Sequence, residues 1–260
     1  MIRAVVLALA CAGCYDFDTL GTKPSSCATL GGFMCDGFED KLPAPPQWID
    51  LHGSASGTDD VNSQRAYRGS YSFHVHGAAT NGSPSATLEV GGRVTSTQQA
   101  YAVSAATALQ SHVYLRAFYF FPSLTGGRLF LEEIGRVPTA NLPYSGFAVF
   151  IDVGGTFVLS QQSAISNAGP MAPTGRWICV ELGLDNTTGD AQLWLDGAVT
   201  PNLTLAGTPL RKDPLDSSST LNVDLLAFEY YNSRSFTATT AFDAWIDEIA
   251  VDSARIGCSR

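Results

Sequence analysis

The segment Arg176–Gly197, RWICVELGLDNTTGDAQLWLDG, has the pattern of one long β-hairpin. Apolar residues alternate with other residues in both halves, and a period of two keeps one face of a strand on a core. The central residues DNTTGD are turn formers, and Asp196-Gly197 begins another turn. The segment therefore predicts two antiparallel strands whose buried residues are Ile178, Val180, Leu182, Leu184, Leu193 and Leu195.

Similar β-biased segments recur along the chain and are separated by turn signals, without long helical periodicity. The segment 53–63 is rich in Gly, Ser, Asp and Asn and predicts a loop, and an Ala-rich part of 91–111 suits a short helix. About a dozen strands with no repeat or linker favour a single all-β domain, a sandwich or a barrel. The other predicted strands are Trp48–Leu51, Tyr71–Val75, Ala86–Val90, His112–Phe121, Arg128–Gly135, Gly146–Val153, Thr156–Gln161, Leu203–Leu205, Leu221–Tyr231 and Ala241–Val251.

The composition indicates a folded, acidic protein. Of the 260 residues, 45% are hydrophobic, and 25 glycines and 13 prolines suit a protein rich in turns. The formal net charge is −9, and it becomes −10 when one positive charge, Arg3, is removed with a leader. Because an acidic surface repels phosphate backbones, we expect no nucleic-acid partner. No segment of the body reaches the roughly 20 apolar residues of a membrane span.

The N-terminus has the pattern of an export signal. Arg3 is followed by an apolar run over 4–12, and small residues precede Cys14. This resembles a bacterial lipoprotein signal, which predicts a lipid on Cys14 and a location at the outer membrane or cell surface, with no other membrane contact. Cleavage before Cys11 and a secretory peptide without lipid are the alternatives. The expected divisions are a signal peptide over 1–13, a tether over 14–31 and a domain over 32–260.

The remaining cysteines also favour export. An even number of them, in an oxidising compartment, predicts disulfide bonds, and four cysteines allow three pairings. We favour a short loop between Cys27 and Cys35 and a long link between Cys179 and Cys258. The long link would fasten the end of the last strand to the hairpin. A zinc site is disfavoured because the cysteines lack paired CxxC spacing and neighbouring histidines.

Three segments together resemble the concanavalin A-like (laminin G-like) jelly rolls of bacterial lipoproteins. They are CDGFED at 35–40, the hairpin at 176–197, and FDAWIDEIAVDSARIGC at 242–258, and the resemblance covers residues 33–258. It implies two antiparallel sheets with a concave face that often binds polysaccharide. The same scaffold serves lectins, hydrolases, lyases and adhesion modules, so the fold alone does not decide the activity.

The catalytic motifs of that fold are not found in the sequence. Hydrolases of the fold carry E-x-D-x-x-E on one strand, whereas Glu132 and Glu133 are adjacent and so point to opposite faces. The lyase strings R-x-E-x-R and Q-x-H are also missing, and Arg116 among tyrosines is the nearest approach to them. We therefore favour a protein without catalytic activity.

The sequence offers two candidate metal sites. His74 and His76 share one strand face, but two ligands do not make a zinc site, so exposed histidines are the better interpretation. The resemblance implies a structural calcium ion that joins the chain ends through Glu39 or Asp40 and Asp247. The alternative is that Asp247 only caps a strand end.

Strand parity defines a candidate ligand face. With the hairpin's apolar residues in the core, Glu181 and Trp194 fall on the opposite face, as do Tyr114 and Arg116 on the strand at 112–121. By the same parity Glu229 and Tyr231 lie opposite Leu226 and Phe228. Aromatic rings beside charged groups are typical of sugar recognition.

These patterns predict a surface-anchored carbohydrate-binding or adhesion lipoprotein whose ligand is a polysaccharide or glycoconjugate. A polysaccharide lyase or glycoside hydrolase of the same fold is the first alternative. A structural envelope protein that binds a protein partner is the second.

Overall fold

The computed structural model describes residues 27, 34–41, 49–51, 57–77, 85–90, 107–124, 129–136, 145–161, 164–211, 221, 223, 225–232 and 242–259. The expected signal peptide, the lipid attachment site Cys14 and all of the tether except Cys27 lie outside these residues. No helix within the described ranges is long and apolar enough to cross a membrane. The elements are β1 Met34–Asp36, β2 Ile49–Leu51, β3 Gly57–Asn62, β4 Ser72–Gly77, β5 Ser85–Val90, α1 Thr107–Ser111, β6 His112–Phe120, β7 Leu129–Arg136, β8 Ser145–Ile151, β9 Phe157–Gln161, β10 Ala164–Ile165, β11 Trp177–Asp185, β12 Asp190–Leu195, β13 Ala198–Ala206, β14 Leu225–Asn232 and β15 Phe242–Asp252.

The strands form two antiparallel sheets. Sheet 1 has the order β13-β12-β11-β6-β15-β4-β3, and β1 also pairs with β15. Sheet 2 has the order β10-β9-β8-β7-β14-β5-β2. Strands far apart in sequence are neighbours in both sheets, as in a jelly roll. The predicted all-β, two-sheet jelly-roll sandwich is therefore confirmed.

The hairpin β11–β12 supplies one wall of the core, as its alternation predicts. The six predicted inward residues are all at most 8% exposed. Burying a side chain of this size contributes roughly 1.5–3 kcal/mol relative to leaving it in water. The residues that alternate with them lie on the outer face of sheet 1. There Glu181 pairs with Trp194 of β12 and with Arg116 of β6. The alternation of the sequence thus determines which face of sheet 1 meets sheet 2.

The prediction of a loop over 53–63 is wrong for residues 57–62. Gly57–Asn62 forms β3, the edge strand of sheet 1, and pairs with β4 from Gly57↔Gly77 to Asn62↔Ser72. Ladder hydrogen bonds use backbone groups, so a strand of low β propensity can form where a neighbouring edge needs a partner. The acidic residues in β3 are typical of an edge strand, because charged side chains discourage pairing with a further strand.

The disulfide pairing is the one that the sequence analysis favours. Cys27 is joined to Cys35, and Cys179 on β11 is joined to Cys258. The second bond links residues that are 79 positions apart and holds the residues after β15 against sheet 1. We call residues 253–258 the C-terminal strap.

A second segment also covers the outer face of sheet 1. It is the β3–β4 loop, residues 63–71. The Tyr67 ring stacks on Phe118 with centroids 3.8 Å apart, and the Arg65 guanidinium lies 4.2 Å from the Phe120 ring centroid. Asp247 on β15 accepts hydrogen bonds from the backbone N–H groups of Tyr67 and Arg68, at 2.7 and 3.1 Å. The strap and the β3–β4 loop therefore cover part of the face that parity assigns to the exterior.

Candidate functional site

Four of the predicted ligand residues share the outer face of sheet 1. Arg116 pairs with Glu181, Glu181 pairs with Trp194, and Tyr114 pairs with Gly183 two rungs further along, on the same face. Their arrangement follows from parity on β6, β11 and β12. They fall into two pairs. The C-terminal strap covers Arg116 and Glu181, whereas Tyr114 and Trp194 line a groove.

Arg116 and Glu181 lie beneath the C-terminal strap and are 0% exposed. Glu181 Oε1 accepts hydrogen bonds from the backbone N–H groups of Ile256 (2.7 Å) and Gly257 (3.0 Å). Arg116 donates through Nη1 to the Gly257 carbonyl at 3.3 Å and through Nη2 to the Glu248 carbonyl at 3.0 Å. These polar atoms thus bind the chain's own backbone, so we leave both residues out of the ligand set.

The burial of Arg116 is balanced by nearby carboxylates. Burial lowers the pKa of Arg116, and the charges of Glu248 and Glu181 oppose that change. Glu248 Oε2 lies 3.8 Å from Arg116 Nη2, and both side chains are almost fully buried. Removing one member of such a cluster leaves an uncompensated buried charge, which is strongly destabilising. The cluster accordingly supports the strap.

A bulge in β15 brings Glu248 into this cluster. The register of β15 against β6 shifts between Asp247 and Ala250, and Glu248 has a φ of 51°. That left-handed conformation is uncommon outside glycine, and a bulge turns a side chain that alternation would have placed on the other face. Regular parity along β15 places Glu248 in the core, so the sequence pattern does not predict this role.

The carboxylates expected to bind calcium are engaged by backbone N–H groups. Asp247 Oδ2 accepts from Tyr67 and Arg68, and its Oδ1 accepts from the Glu248 N–H at 2.7 Å. Burial raises the pKa of Asp247 well above its ordinary value, and the nearby Glu248 carboxylate adds to the rise. Both oxygens of Asp247 are thus bonded to the chain's own backbone, and we derive no role for calcium from Asp247.

Glu39 and Asp40 lie in the turn that follows β1. Glu39 Oε1 accepts hydrogen bonds from the N–H groups of Ser70 (2.8 Å) and Tyr71 (3.0 Å), so it fastens the far end of the β3–β4 loop. Asp40 is exposed. Within the described parts of the chain, no group of three or more His, Cys, Asp and Glu side chains is arranged to hold a metal ion.

Glu229 and Tyr231 belong to the other sheet. They lie on β14 in sheet 2, where Glu229 pairs with Thr87 of β5 and Tyr231 with Phe130 of β7. Their side chains are outside the described part of the chain. The structure therefore does not bring these two strand positions together with Tyr114 and Trp194.

Tyr114 and Trp194 instead flank a groove on the outer face of sheet 1. Their ring centroids are 6.0 Å apart and the ring planes are inclined by 42°. The groove has a volume of about 440 Å³, within the range of small-ligand sites. It is lined by Tyr114, Gly183, Asp185, Asp190, Ala191, Gln192, Trp194, Thr204, Leu205 and Ala206.

Gly183 forms the floor between the two rings. A Cβ atom at this position would lie 2.6 Å from Tyr114 Cε1 and 2.8 Å from Trp194 Cζ3, closer than real Cβ contacts allow. A side chain here would therefore displace both rings. The glycine weakens the strand interior but allows the close approach of two aromatic side chains over the backbone. Strand parity already places Gly183 on this face. A glycine among larger outward residues is the sequence feature that could have indicated the groove.

Polar atoms beside the rings suit hydroxyl recognition. Tyr114, Trp194 and Gln192 line the groove and carry a hydroxyl, an indole N–H and an amide group, respectively. Gln192 is oriented by its Nε2, which donates to the carbonyls of Leu193 at 2.8 Å and Thr200 at 3.2 Å. Gln192 is not among the ligand residues predicted from the sequence, although alternation along β12 places it on the same face as Trp194.

Arg255 of the strap supports the Trp194 ring. Its guanidinium carbon is 4.8 Å from the centre of that ring. Arg255 is held by Glu181 Oε2 at 3.4 Å and by the Gly197 carbonyl at 2.7 Å. It lines a neighbouring groove with Cys258 rather than the groove of Tyr114. The buried Glu181 thus acts on the Trp194 ring through Arg255.

The two histidines considered for a metal site bind a carboxylate. His74 Nε2 and His76 Nδ1 each lie 2.9 Å from Asp243 Oδ1, and His74 stacks on Trp245 with centroids 4.4 Å apart. Partial burial raises the pKa of Asp243, but the hydrogen bonds from the two imidazoles lower it, and the net shift of the pKa is downward. The cluster ties β4 to β15.

The comparisons with known proteins support the fold. Neither a protein-family model nor a curated protein sequence matches the chain. One similar solved structure is the cellulose-induced protein Cip1, at 19% identity and a TM-score of 0.61, covering 87% of this chain and 100% of that chain. Another is an endo-β-1,4-glucuronan lyase from the fungus Trichoderma reesei, at 12% identity and a TM-score of 0.61, covering 86% and 96%. At these identities the likeness establishes the sandwich fold and nothing further.

Proposed function

We propose that this protein binds carbohydrate, without catalysis, in the groove between Tyr114 and Trp194. The observation that carries the proposal is the pair of rings held over the bare backbone of Gly183. Sugar rings present C–H faces that stack on aromatic side chains and hydroxyls that bond to amide, hydroxyl and carboxylate groups. The groove supplies both kinds of contact on a rigid sheet.

The first experiment is a glycan array probed with the full chain, followed by titration calorimetry with the glycans that bind. Trp194→Ala and Tyr114→Ala should each weaken binding at least tenfold, because each ring supplies a large apolar surface to the sugar and a tenfold loss corresponds to only about 1.4 kcal/mol. Trp194→Phe keeps a stacking surface and should retain more affinity than Trp194→Ala. Unchanged binding by both alanine variants would remove the groove from this function.

Tyr67 offers a matched control. Its ring also lies on the outer face of sheet 1, but it stacks on Phe118 and does not line the groove. Tyr67→Ala should therefore leave glycan affinity within about twofold of the unmodified chain. Gly183→Ala provides a second test, since its Cβ would push the rings apart without removing either ring.

The alternative of a lyase or hydrolase is supported by the fold it shares with the glucuronan lyase. It is tested by incubating the chain with each glycan that binds and analysing the products by mass spectrometry. Shorter products, lost in Trp194→Ala, would replace the binding function by an enzymatic one.

We propose further that the protein is exported and anchored to a bacterial outer membrane or cell surface by a lipid on Cys14. The two disulfide bonds support an oxidising location. Mass spectrometry of the mature N-terminus tests the anchor. A diacylated or triacylated cysteine at position 14 is expected, and an unmodified peptide that begins elsewhere would contradict it.

A further inference from the structure

The charged groups that line the Tyr114–Trp194 groove are all acidic in the described part of the chain. They are Asp185, at the end of β11, and Asp190, at the start of β12, and no Lys or Arg contributes to the lining. The two residues pair across the end of the hairpin, so both carboxylates flank the same end of the groove. The groove therefore carries a local excess of negative charge.

Both carboxylates are fixed by the turn between the strands. Asp185 Oδ1 accepts hydrogen bonds from Thr187 Oγ1 at 2.6 Å and from the Thr187 N–H at 2.9 Å. Asp190 Oδ2 accepts from Thr188 Oγ1 at 2.8 Å. The hydrogen bond from the Thr187 hydroxyl is the main cause that lowers the pKa of Asp185, so this carboxylate is ionised at neutral pH.

Two basic side chains lie beside the groove without lining it. His112 Nε2 lies 3.7 Å from Asp185 Oδ2, and its side chain is 49% exposed. Arg255 lies against Trp194 but is engaged by Glu181 and lines the neighbouring groove. The chain as a whole carries a formal charge of −9, which adds to the negative potential around the site.

We infer that this groove selects neutral and amine-bearing glycans and rejects glycans that carry carboxylate or sulfate groups. The inference rests on the proposed carbohydrate-binding function and specifies its ligand class. An acidic sugar stacked on Tyr114 and Trp194 brings its anion into the groove that Asp185 and Asp190 also line, and no cation among the described lining residues offsets the repulsion. Specificity here comes from an unfavourable contact with the wrong ligand as much as from favourable contacts with the right one.

The test compares neutral, amine-bearing and acidic glycans on one array, using the full chain and the double variant Asp185→Asn, Asp190→Asn. Asparagine keeps an oxygen for the threonine donors but removes both charges. The unmodified chain should bind neutral or amine-bearing glycans at least about tenfold more tightly than uronate or sulfate analogues of the same backbone. The double variant should reduce that ratio severalfold, and so should a rise in salt concentration, because exposed charges are screened.

Asp60→Asn is the matched control, because it removes one exposed acidic charge from β3 at the opposite edge of sheet 1 and should leave the ratio unchanged. An acidic glycan that binds as tightly as its neutral analogue, with binding lost in Trp194→Ala, would overturn the inference and leave the proposed function standing. An array without any bound glycan would remove the proposed function and the inference with it.

Discussion

The guanidinium of Arg255 lies over the indole of Trp194, with 4.8 Å between the guanidinium carbon and the ring centre. Arg255 belongs to the C-terminal strap, and Trp194 belongs to the central hairpin, 61 positions earlier in the chain (255 minus 194). The strap is fastened beside this contact by the Cys179–Cys258 bond and by the bonds of Glu181 to Ile256 and Gly257. The end of the chain thus supports one wall of the candidate ligand groove.

Arg255→Ala should weaken glycan binding by about two- to fivefold. An exposed cation–π contact is worth roughly 0.5–1 kcal/mol, and its loss frees the Trp194 ring to leave the stacking position. Titration calorimetry measures the change. Arg176→Ala is the control, since Arg176 is an exposed arginine that pairs with Asp196 and does not contact Trp194. Equal losses in the two variants would mean that general charge, rather than support of Trp194, explains the effect.

Cys258→Ser should lower the free energy of unfolding by roughly 4–5 kcal/mol, and a double Cys27→Ser, Cys35→Ser variant by roughly 2–3 kcal/mol. The difference follows from loop-closure entropy, because the lost bonds close sequence separations of 79 and 8 residues. Urea unfolding of the oxidised proteins measures both values. Cys258→Ser should also speed tryptic cleavage after Arg255, because the strap loses its covalent fastening. A larger loss in the double variant would contradict this account.

Glu132→Gln should change how stability depends on pH. Glu132 is 0% exposed and faces the core from β7, and burial raises its pKa well above the ordinary value of 4.5. Neither carboxyl oxygen has a hydrogen-bond partner within the described residues, although backbone groups of Leu182 and Ala117 lie near enough to oppose the shift. The folded state therefore keeps a proton that the unfolded state releases above about pH 4.5.

The sign follows from this difference in bound protons. Between the unfolded and folded pKa values the folded state binds more protons, so the free energy of unfolding falls as pH rises, by at most about 1.4 kcal/mol per pH unit. Glu132→Gln removes that decline, so the variant should gain stability over the unmodified chain at pH 8 and show little gain near pH 5. Urea titrations at several pH values measure it.

A chelator should leave the melting temperature unchanged. The oxygens of Asp247 accept three backbone N–H bonds, and Glu39 Oε1 accepts two, so these carboxylates are satisfied without a cation. Thermal unfolding with and without EDTA, and with added calcium, measures the effect. A lower melting temperature in EDTA that calcium restores would support the structural calcium ion implied by the family resemblance.

The sequence predicted the strands of the hairpin because alternation directly encodes which side chains are buried. It also placed Tyr114, Arg116, Glu181 and Trp194 on one face correctly. It did not predict β3, whose polar residues form a strand only because β4 offers backbone groups to pair with. Nor did it predict the bulge at Glu248, because a bulge breaks the parity on which such reasoning depends.

The sequence by itself determined an all-β domain of the sandwich or barrel type and the side of sheet 1 on which the aromatic and charged residues lie. The family resemblance added the two-sheet jelly roll, and the structure selected one of the three disulfide pairings that four cysteines allow. Only the tertiary structure decided which of the aromatic and charged residues are open to a ligand. The strap covers Arg116 and Glu181, whereas Tyr114 lines the groove beside them. Alternation specifies the face of a strand because it is a local, two-residue property, whereas the segment that covers that face comes from a distant part of the chain.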